Sequence, residues 1–160
     1  MKGRSQSSSI PTKSSDVNAV RIRRARLQDA ERLAELSGQL GYPASRAEIV
    51  QRMKRMHPAG QHAIFVAETG KNVTGWLHVS VTPLLEVDLR AEVNGLVVDE
   101  HQRSLGAGAQ LLRAAEQWAA KKGCKSMSVR SNVVRERAHG FYLQQGYEHY
   151  KTQKAFRKTL

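Results

Sequence analysis

The sequence has a single cysteine, few aromatic residues (6%) and no long hydrophobic run. With only Cys124, an internal disulfide framework is excluded, and a reducing cytoplasm is the expected location. No apolar stretch approaches the ~20 residues that a membrane-spanning helix needs, and the polar start "MKGRSQSSSIPTKSSD" does not predict a signal peptide. The six histidines show no metal-ligand spacing, so we predict no metal site.

Acidic residues are also scarce, with 14 Asp and Glu against 26 Lys and Arg, and the net charge is +12. This balance favours anionic partners: nucleic acid, an acidic protein, a phosphorylated metabolite or a polyphosphate cofactor. The basic residues are scattered, without zinc-finger spacing, an aromatic RNA-binding signature or a basic zipper region. A solvated basic surface is therefore preferred to a nucleic-acid site.

Composition divides the chain into two parts. Residues 1–18 are rich in Ser, Lys and Gly and predict a flexible basic tail, since they cannot bury enough surface to offset the entropy of ordering. Residues 19–160 predict one domain with the order β-α-α-β-β-β-α-β-α-β, in which "YEHYKTQKAFRK" (147–158) forms the closing strand or strands. Early hairpins followed by a β-α-β unit predict the α+β class, with a mixed, mostly antiparallel sheet covered by helices on both faces.

One turn between a predicted strand and a predicted helix has unusual chemistry. After Val98, the stretch "DEHQRSLGAGAQLL" places Arg103, Gly106 and Gly108 in the spacing R-x-x-G-x-G. A helix N-terminus offers unpaired N–H groups, and glycines would let a pyrophosphate approach them closely. The alternative is a turn whose glycines only permit a tight bend.

A second motif lies about 30 residues downstream, across one predicted strand. In "AHGFYLQQGY", the residues are Ala138, Phe141, Tyr142, Gly146 and Tyr147. Together the two motifs resemble the GNAT superfamily of N-acetyltransferases over residues 19–160, most strongly over 92–147. The resemblance implies a GNAT-like α/β/α sandwich with acetyl-CoA as co-substrate.

The resemblance also implies a donor site. It would hold the pyrophosphate at the helix N-terminus and pair the pantetheine arm with the backbone of the preceding strand. Two positions depart from the family pattern, since Ser104 replaces a frequent Gly and Glu100 a frequent Pro. The implied cofactor-binding residues are Leu96, Val97, Val98, Arg103, Ser104, Leu105, Gly106, Ala107, Gly108, Ala109, Asn132 and Tyr142.

By the same resemblance, Tyr142 is the general acid that protonates the departing thiolate, and Glu92 is the base that deprotonates the amine. The alternatives are a core aromatic residue for Tyr142 and a solvent-facing strand residue for Glu92. Ser131 and Asn132 would face the cofactor or shape a turn. His78 is interpreted as a strand-surface histidine rather than a base.

The sequence leaves the identity of the acceptor amine open. The region 38–56 is similar to small-molecule family members, including aminoalkylphosphonate and aminoglycoside acetyltransferases. Tyr42, Glu86 and Asp88 are the predicted substrate-binding residues; the acids suit a polyamine or aminoglycoside, whereas Arg46 and Arg52 suit a phosphonate or carboxylate.

The resulting hypothesis is an enzyme that moves an acetyl group from CoA to the primary amine of a small molecule by direct attack in a ternary complex. Membrane association is not expected, nucleic acid is not the favoured partner, and a homodimer is a further expectation. The alternatives are a protein N-terminal or lysine acetyltransferase, and a non-catalytic module that binds CoA or nucleic acid.

Overall fold

A computed structural model describes residues 19–56, 60–103 and 105–160 of the chain. The predicted tail and Ser104 lie outside the described residues. The elements follow the predicted order up to the last helix. They are β1 (Val20–Arg24), α1 (Ala30–Leu40), α2 (Arg46–Met56), β2 (His62–Thr69), β3 (Asn72–Val81), β4 (Arg90–Val98), α3 (Ala107–Lys121), β5 (Ser126–Val129) and α4 (Glu136–Gln144), with a 3₁₀ turn at Leu27–Asp29.

The five strands form one sheet in the order β1-β2-β3-β4-β5. The first three pairings are antiparallel, and the β4–β5 pairing is parallel. A parallel pair needs a crossover connection, and α3 supplies it. The prediction of a mixed, mostly antiparallel sheet is confirmed.

Helices cover both faces of the sheet and create two apolar cores. On one face, Leu111 and Leu112 of α3 pack with Leu77 of β3. On the other face, Leu36 of α1 packs with Val66 of β2. Each of these side chains is almost completely buried, and burial of such a side chain stabilises the fold by roughly 1.5–3 kcal/mol. The predicted α/β/α sandwich of the α+β class is confirmed.

A bulge interrupts the ladder between β3 and β4. His78 and Val79 are consecutive in β3, but they face Gly95 and Val93, so Asn94 is an extra residue in β4. Such a bulge bends its strand and increases the local twist. It therefore redirects the second half of β4.

The same region is where β4 and β5 part. Their pairing ends at Val93 and Val129, whereas β4 stays paired with β3 as far as Val98, which faces Gly75. In the described parts of the chain, no strand pairs with the β5 side of β4 beyond Val93. This opening, which we call the strand gap, leaves backbone N–H and C=O groups without ladder partners.

The predicted closing strand does not form. Residues 147–160 have no regular secondary structure, and all of residues 148–160 are exposed. Tyr147 alone packs on the core, and its hydroxyl donates to Glu116 at 3.1 Å. The large apolar side chains Tyr150 and Phe156 are exposed, so little burial would offset the entropy of ordering a strand.

Candidate active site

The N-terminus of α3 is open because of Gly106. This residue is the N-cap, with a left-handed φ of 78° that suits glycine, and its carbonyl accepts the first helical hydrogen bond from Gln110 at 3.1 Å. A Cβ placed at Gly106 would meet only Nε2 of Gln110, 4.0 Å away. The space beside Gly106 is therefore open, and the N–H groups at a helix N-terminus are donors that an anion can use.

Gly108 has a different role. A Cβ at this position would lie 3.4 Å from Cζ of Phe141 and 3.7 Å from Cγ2 of Val98. The glycine thus lets α3 pack closely on α4. The structure brings the two sequence motifs together at this contact.

The strand before α3 contributes backbone rather than side chains. Val97 packs into the core beneath α1 and α2, whereas Leu96 and Val98 pack toward α3. Their backbone groups border the strand gap, where an extended ligand can add to the free edge. Arg103 is exposed, and its Nε donates to the carbonyl of Val98 at 3.4 Å, so its guanidinium lies beside this edge.

Helix α1 holds the loop between β4 and α3. Arg32 forms an ion pair with Asp99, and Oε1 of Gln39 accepts a hydrogen bond from the backbone N–H of Glu100 at 3.1 Å. Asp99 also accepts from the backbone N–H of His101 at 3.0 Å. These contacts fix where the chain leaves β4.

Tyr142 lies on α4 between two aromatic rings, with centroids 5.3 Å from Phe141 and 5.8 Å from Tyr147. Burial raises the pKa of Tyr142 to about 12, and the positive charge of Arg135 partly opposes this. Its hydroxyl makes no hydrogen bond to the described part of the chain. The phenol is therefore protonated at neutral pH and free to donate.

The turn after β5 gives its two polar residues different roles. Asn132 holds the turn, since Oδ1 accepts from the N–H of Val134 at 3.3 Å and its carbonyl accepts from the N–H of Arg135 at 2.9 Å. The buried Oγ of Ser131 has no partner among the described residues. Ser131 therefore offers an unused hydroxyl near the strand gap.

Glu92 lies in the first half of β4, on the face opposite Ala91 and Val93, because side chains alternate along a strand. One carboxylate oxygen is 2.5 Å from Nε of Arg130. Glu92 is one-quarter exposed, whereas the Arg130 side chain is 79% exposed. A base at this position would have to exchange the exposed guanidinium for the substrate.

A cavity of about 300 Å³ lies between α1, α2 and the sheet, and we call it the α1–α2 pocket. Polar side chains line part of its wall: Ser37, Tyr42, Arg52, His78 and Asn94. Apolar side chains line the rest, among them Leu33, Leu40, Met53, Ile64 and Trp76.

The structure separates the three residues predicted to bind substrate. Tyr42 lines the α1–α2 pocket, but Glu86 and Asp88 do not. Both acids are exposed in the loop between β3 and β4, and Asp88 is 3.7 Å from Nζ of Lys125. A role for them in binding stays a prediction, away from this cavity.

His78 lies in the pocket wall instead of on an open strand surface. Its Nε2 is 3.0 Å from Nδ1 of His62. Burial and the neighbouring His62 lower the pKa of His78 to about 4, so it is neutral near pH 7. Sequence reasoning missed this position because helices cover both faces of the sheet.

The described residues contain no helix that is long and apolar enough to cross a membrane. They also contain no group of three or more His, Cys, Asp or Glu residues that could hold a metal ion.

The chain is similar in sequence to two proteins that are named as N-acetyltransferases. The chain is 29% identical over 133 residues to the uncharacterized N-acetyltransferase YhfO of Bacillus subtilis, covering 79% of this chain and 89% of that protein. It is 38% identical over 66 residues to the aminoalkylphosphonate N-acetyltransferase of Salmonella typhimurium, but this match covers only 40% of the chain and 43% of that protein.

Solved structures share the fold. A transcriptional regulator from Bacillus halodurans C-125 matches with a TM-score of 0.76 and 26% identity, over 86% of this chain and all of that one. The aminoglycoside N-acetyltransferase AAC(6')-Iy in complex with CoA matches with a TM-score of 0.81 and 19% identity, over 94% of this chain and all of that one.

The family assignment follows from the sequence match and agrees with the fold. Residues 27–147, most of the chain, match the family described as "Acetyltransferase (GNAT) family". The chain therefore belongs to the acetyltransferase (GNAT) family and is an acyltransferase enzyme.

Proposed function

We propose that the protein uses acetyl-CoA to acetylate the primary amine of a small molecule, by direct attack in a ternary complex. The observation that carries the proposal is the strand gap beside the open N-terminus of α3. An extended thioester can pair with the β4 edge while its pyrophosphate meets the first-turn N–H groups and Arg103. The complex of AAC(6')-Iy with CoA supports the choice of donor.

The proposed donor site keeps the residues named from the sequence. Leu96, Val97 and Val98 contribute backbone, and the N–H of Val98 polarises the thioester carbonyl. Asn132 shapes the turn, and Ser131 is added for its unpartnered hydroxyl. The residues at and before the helix are Arg103, Ser104, Leu105, Gly106, Ala107, Gly108 and Ala109.

The chemistry requires one proton donor and one proton acceptor. The neutral amine attacks the carbonyl carbon, a C–N bond forms, and the C–S bond breaks. Tyr142 gives its proton to the thiolate, and Glu92, released from Arg130, takes the amine proton directly or through water. The partly buried Cys124 does not suit an acyl-enzyme route, since desolvation raises the pKa of its thiol.

The volume of the α1–α2 pocket supports a small acceptor, because about 300 Å³ lies at the lower end of the range for small-molecule sites. A protein N-terminus or lysine is the alternative acceptor. A cytoplasmic location and a homodimer belong to this proposal as predictions.

Thiol release tests the proposal. The protein is mixed with acetyl-CoA and a panel of small primary amines, together with peptides that offer an N-terminus or a lysine. We expect free CoA and a mass increase of one acetyl group on at least one small amine. Release with peptides alone would favour the alternative acceptor, and no release with any amine would refute the proposal.

A further inference from the structure

The side chains that line the α1–α2 pocket indicate which class of amine is the acceptor. This inference rests on the proposed function. We infer that the acceptor combines an apolar body with an anionic group that binds Arg52, and that it is not a polycation. The amine end would lie at His78 and Asn94.

The pocket adjoins the place where an acetyl group would arrive. Asn94 is the bulged residue of β4, and it follows Val93, the last residue paired with β5. The pocket lies on the α1–α2 face of the sheet, whereas α3 covers the opposite face. Because the strand gap opens the sheet between these faces, a donor held at α3 can meet an acceptor held at Asn94.

The polar atoms at this end suit an amine. Nδ2 of Asn94 already donates to Oγ of Ser80 at 2.8 Å, which leaves its carbonyl oxygen to accept from the ligand. His78 is neutral and shares one nitrogen with His62, so it adds no positive charge beside the amine. Neither group would repel an ammonium ion.

The body of the pocket suits an apolar group. Its walls between α1, α2 and the sheet are mostly hydrophobic, and displacing water from such walls favours binding of apolar surface. The side chains that form them include Leu33, Leu40, Ile49, Met53, Met56 and Trp76.

The charge of the lining is entirely positive. Among the described residues, Arg52 is the only side chain lining the pocket that is charged at neutral pH, and no carboxylate lines it. A second ammonium group on the ligand would meet the positive charge of Arg52 and find no counter-ion in the lining. An anionic group would instead form a charge-assisted hydrogen bond with the guanidinium.

Arg52 is available for such a contact. Its existing partner is Glu48, at 3.7 Å, and both side chains are more than half exposed. Exposed pairs of this kind contribute little and exchange easily. A carboxylate or phosphonate that reaches the pocket can therefore take the place of Glu48.

The test compares three amines that share one body and differ only at the far end. For a six-carbon body, these are 6-aminohexanoate, hexylamine and 1,6-diaminohexane, and the same three end groups are compared on whichever body is acetylated fastest. We expect kcat/KM to fall in that order, with about a 10- to 100-fold difference between the carboxylate and the diamine. Equal values, or a preference for the diamine, would overturn the inference.

A matched pair of variants identifies the contact. Arg52→Gln should raise KM for the carboxylate about 10-fold or more and change kcat/KM for hexylamine much less, because only the anion forms a charge-assisted hydrogen bond with the guanidinium. Arg55→Gln, on the same helix but outside the pocket lining, should change neither value. An equal loss for both amines in Arg52→Gln would refute the charge contact.

Release of CoA with different amines distinguishes a wrong acceptor class from a wrong function. If some amines release CoA but the anionic ones are the poorest, the acceptor class is wrong and the enzyme assignment stands. If no amine releases CoA, the proposed function fails, and the inference fails with it.

Discussion

Nδ1 of His62 and Nε2 of His78 lie 3.0 Å apart, and this contact joins β2 to β3 beside the α1–α2 pocket. One imidazole must donate while the other accepts, because two protonated rings would leave both nitrogens as donors. The pair therefore requires at least one neutral ring. The low pKa of His78, about 4, identifies it as the neutral partner.

This neutral histidine predicts a pH dependence of stability. In the unfolded chain His78 binds a proton below about pH 6.5, whereas in the folded protein it does so only near pH 4. The unfolded state thus gains more protons between pH 6.5 and 4, and the free energy of unfolding falls as the pH is lowered through this window. We expect the histidine to account for about 2 kcal/mol of that fall, after discounting for its partial exposure.

Urea unfolding at pH 7 and at pH 4.5 measures this difference. His78→Gln should show a smaller loss of stability between the two pH values than the unmodified protein. His101→Gln, at a side chain that is 82% exposed, serves as the control and should behave like the unmodified protein. An unchanged pH dependence in His78→Gln would contradict the assignment.

The second prediction concerns Tyr142. Tyr142→Phe should lower kcat by about 10²- to 10⁴-fold, the usual contribution of a general acid, with little change in the Kd for acetyl-CoA. Because the pKa of Tyr142 is about 12, its deprotonation should not reduce activity between pH 7 and 10. Steady-state kinetics and titration calorimetry measure the two effects.

Tyr147→Phe is the matched control, since Tyr147 packs beside Tyr142 but donates its hydroxyl proton to Glu116. It should cost about 1 kcal/mol of stability and leave kcat nearly unchanged. Equal kcat values for Tyr142→Phe and the unmodified enzyme would show that another group protonates the thiolate.

The third prediction tests whether Glu92 is needed for catalysis and its ion-pair partner Arg130 is not. If Glu92 accepts the amine proton, Glu92→Gln lowers kcat by about 10²-fold or more. Arg130→Gln removes only an exposed partner and should keep kcat within about 10-fold. Equal losses in both variants would mean that the pair supports the strands and that Glu92 is not the base.

The fourth prediction uses two glycines with similar backbone conformations. Gly106 and Gly123 have φ values of 78° and 84°, so replacing either with Ala should cost about 1 kcal/mol of stability. Only Gly106 adjoins the proposed pyrophosphate position. Gly106→Ala should therefore weaken acetyl-CoA binding, whereas Gly123→Ala should not, and equal Kd values for the two variants would contradict this placement.

Local signals in the sequence predicted much of the fold and pointed to the site proposed for the donor. The left-handed N-cap at Gly106 and the contact of Gly108 with Phe141 both depend on the absence of a side chain. Glycine is the residue that signals such positions in a sequence. The helices and first five strands follow hydrophobic periodicity. The prediction of a closing strand at 147–158 was wrong because the partial alternation of this segment resembles a strand, although no burial stabilises one.

Other features depend on contacts between distant residues. The bulge at Asn94 arises from the register between two strands, and the neighbouring Gly95 is the local signal that could have indicated it. The wall of the α1–α2 pocket combines Arg52 of α2 with His78 of β3, which lie in separate elements. The ion pair that engages Glu92 needs Arg130 from beyond the next strand. Such pairings require the folded chain.

Calorimetric titration of acetyl-CoA into the protein tests the central claim most directly, because it does not depend on knowing the acceptor. We expect saturable binding at one site per chain, with a Kd between about 1 µM and 1 mM, the range usual for enzyme substrates. We also expect Gly106→Ala to bind acetyl-CoA more weakly than Gly123→Ala. An absence of saturable heat up to about 1 mM acetyl-CoA would contradict the claim that the strand gap and the N-terminus of α3 form the donor site.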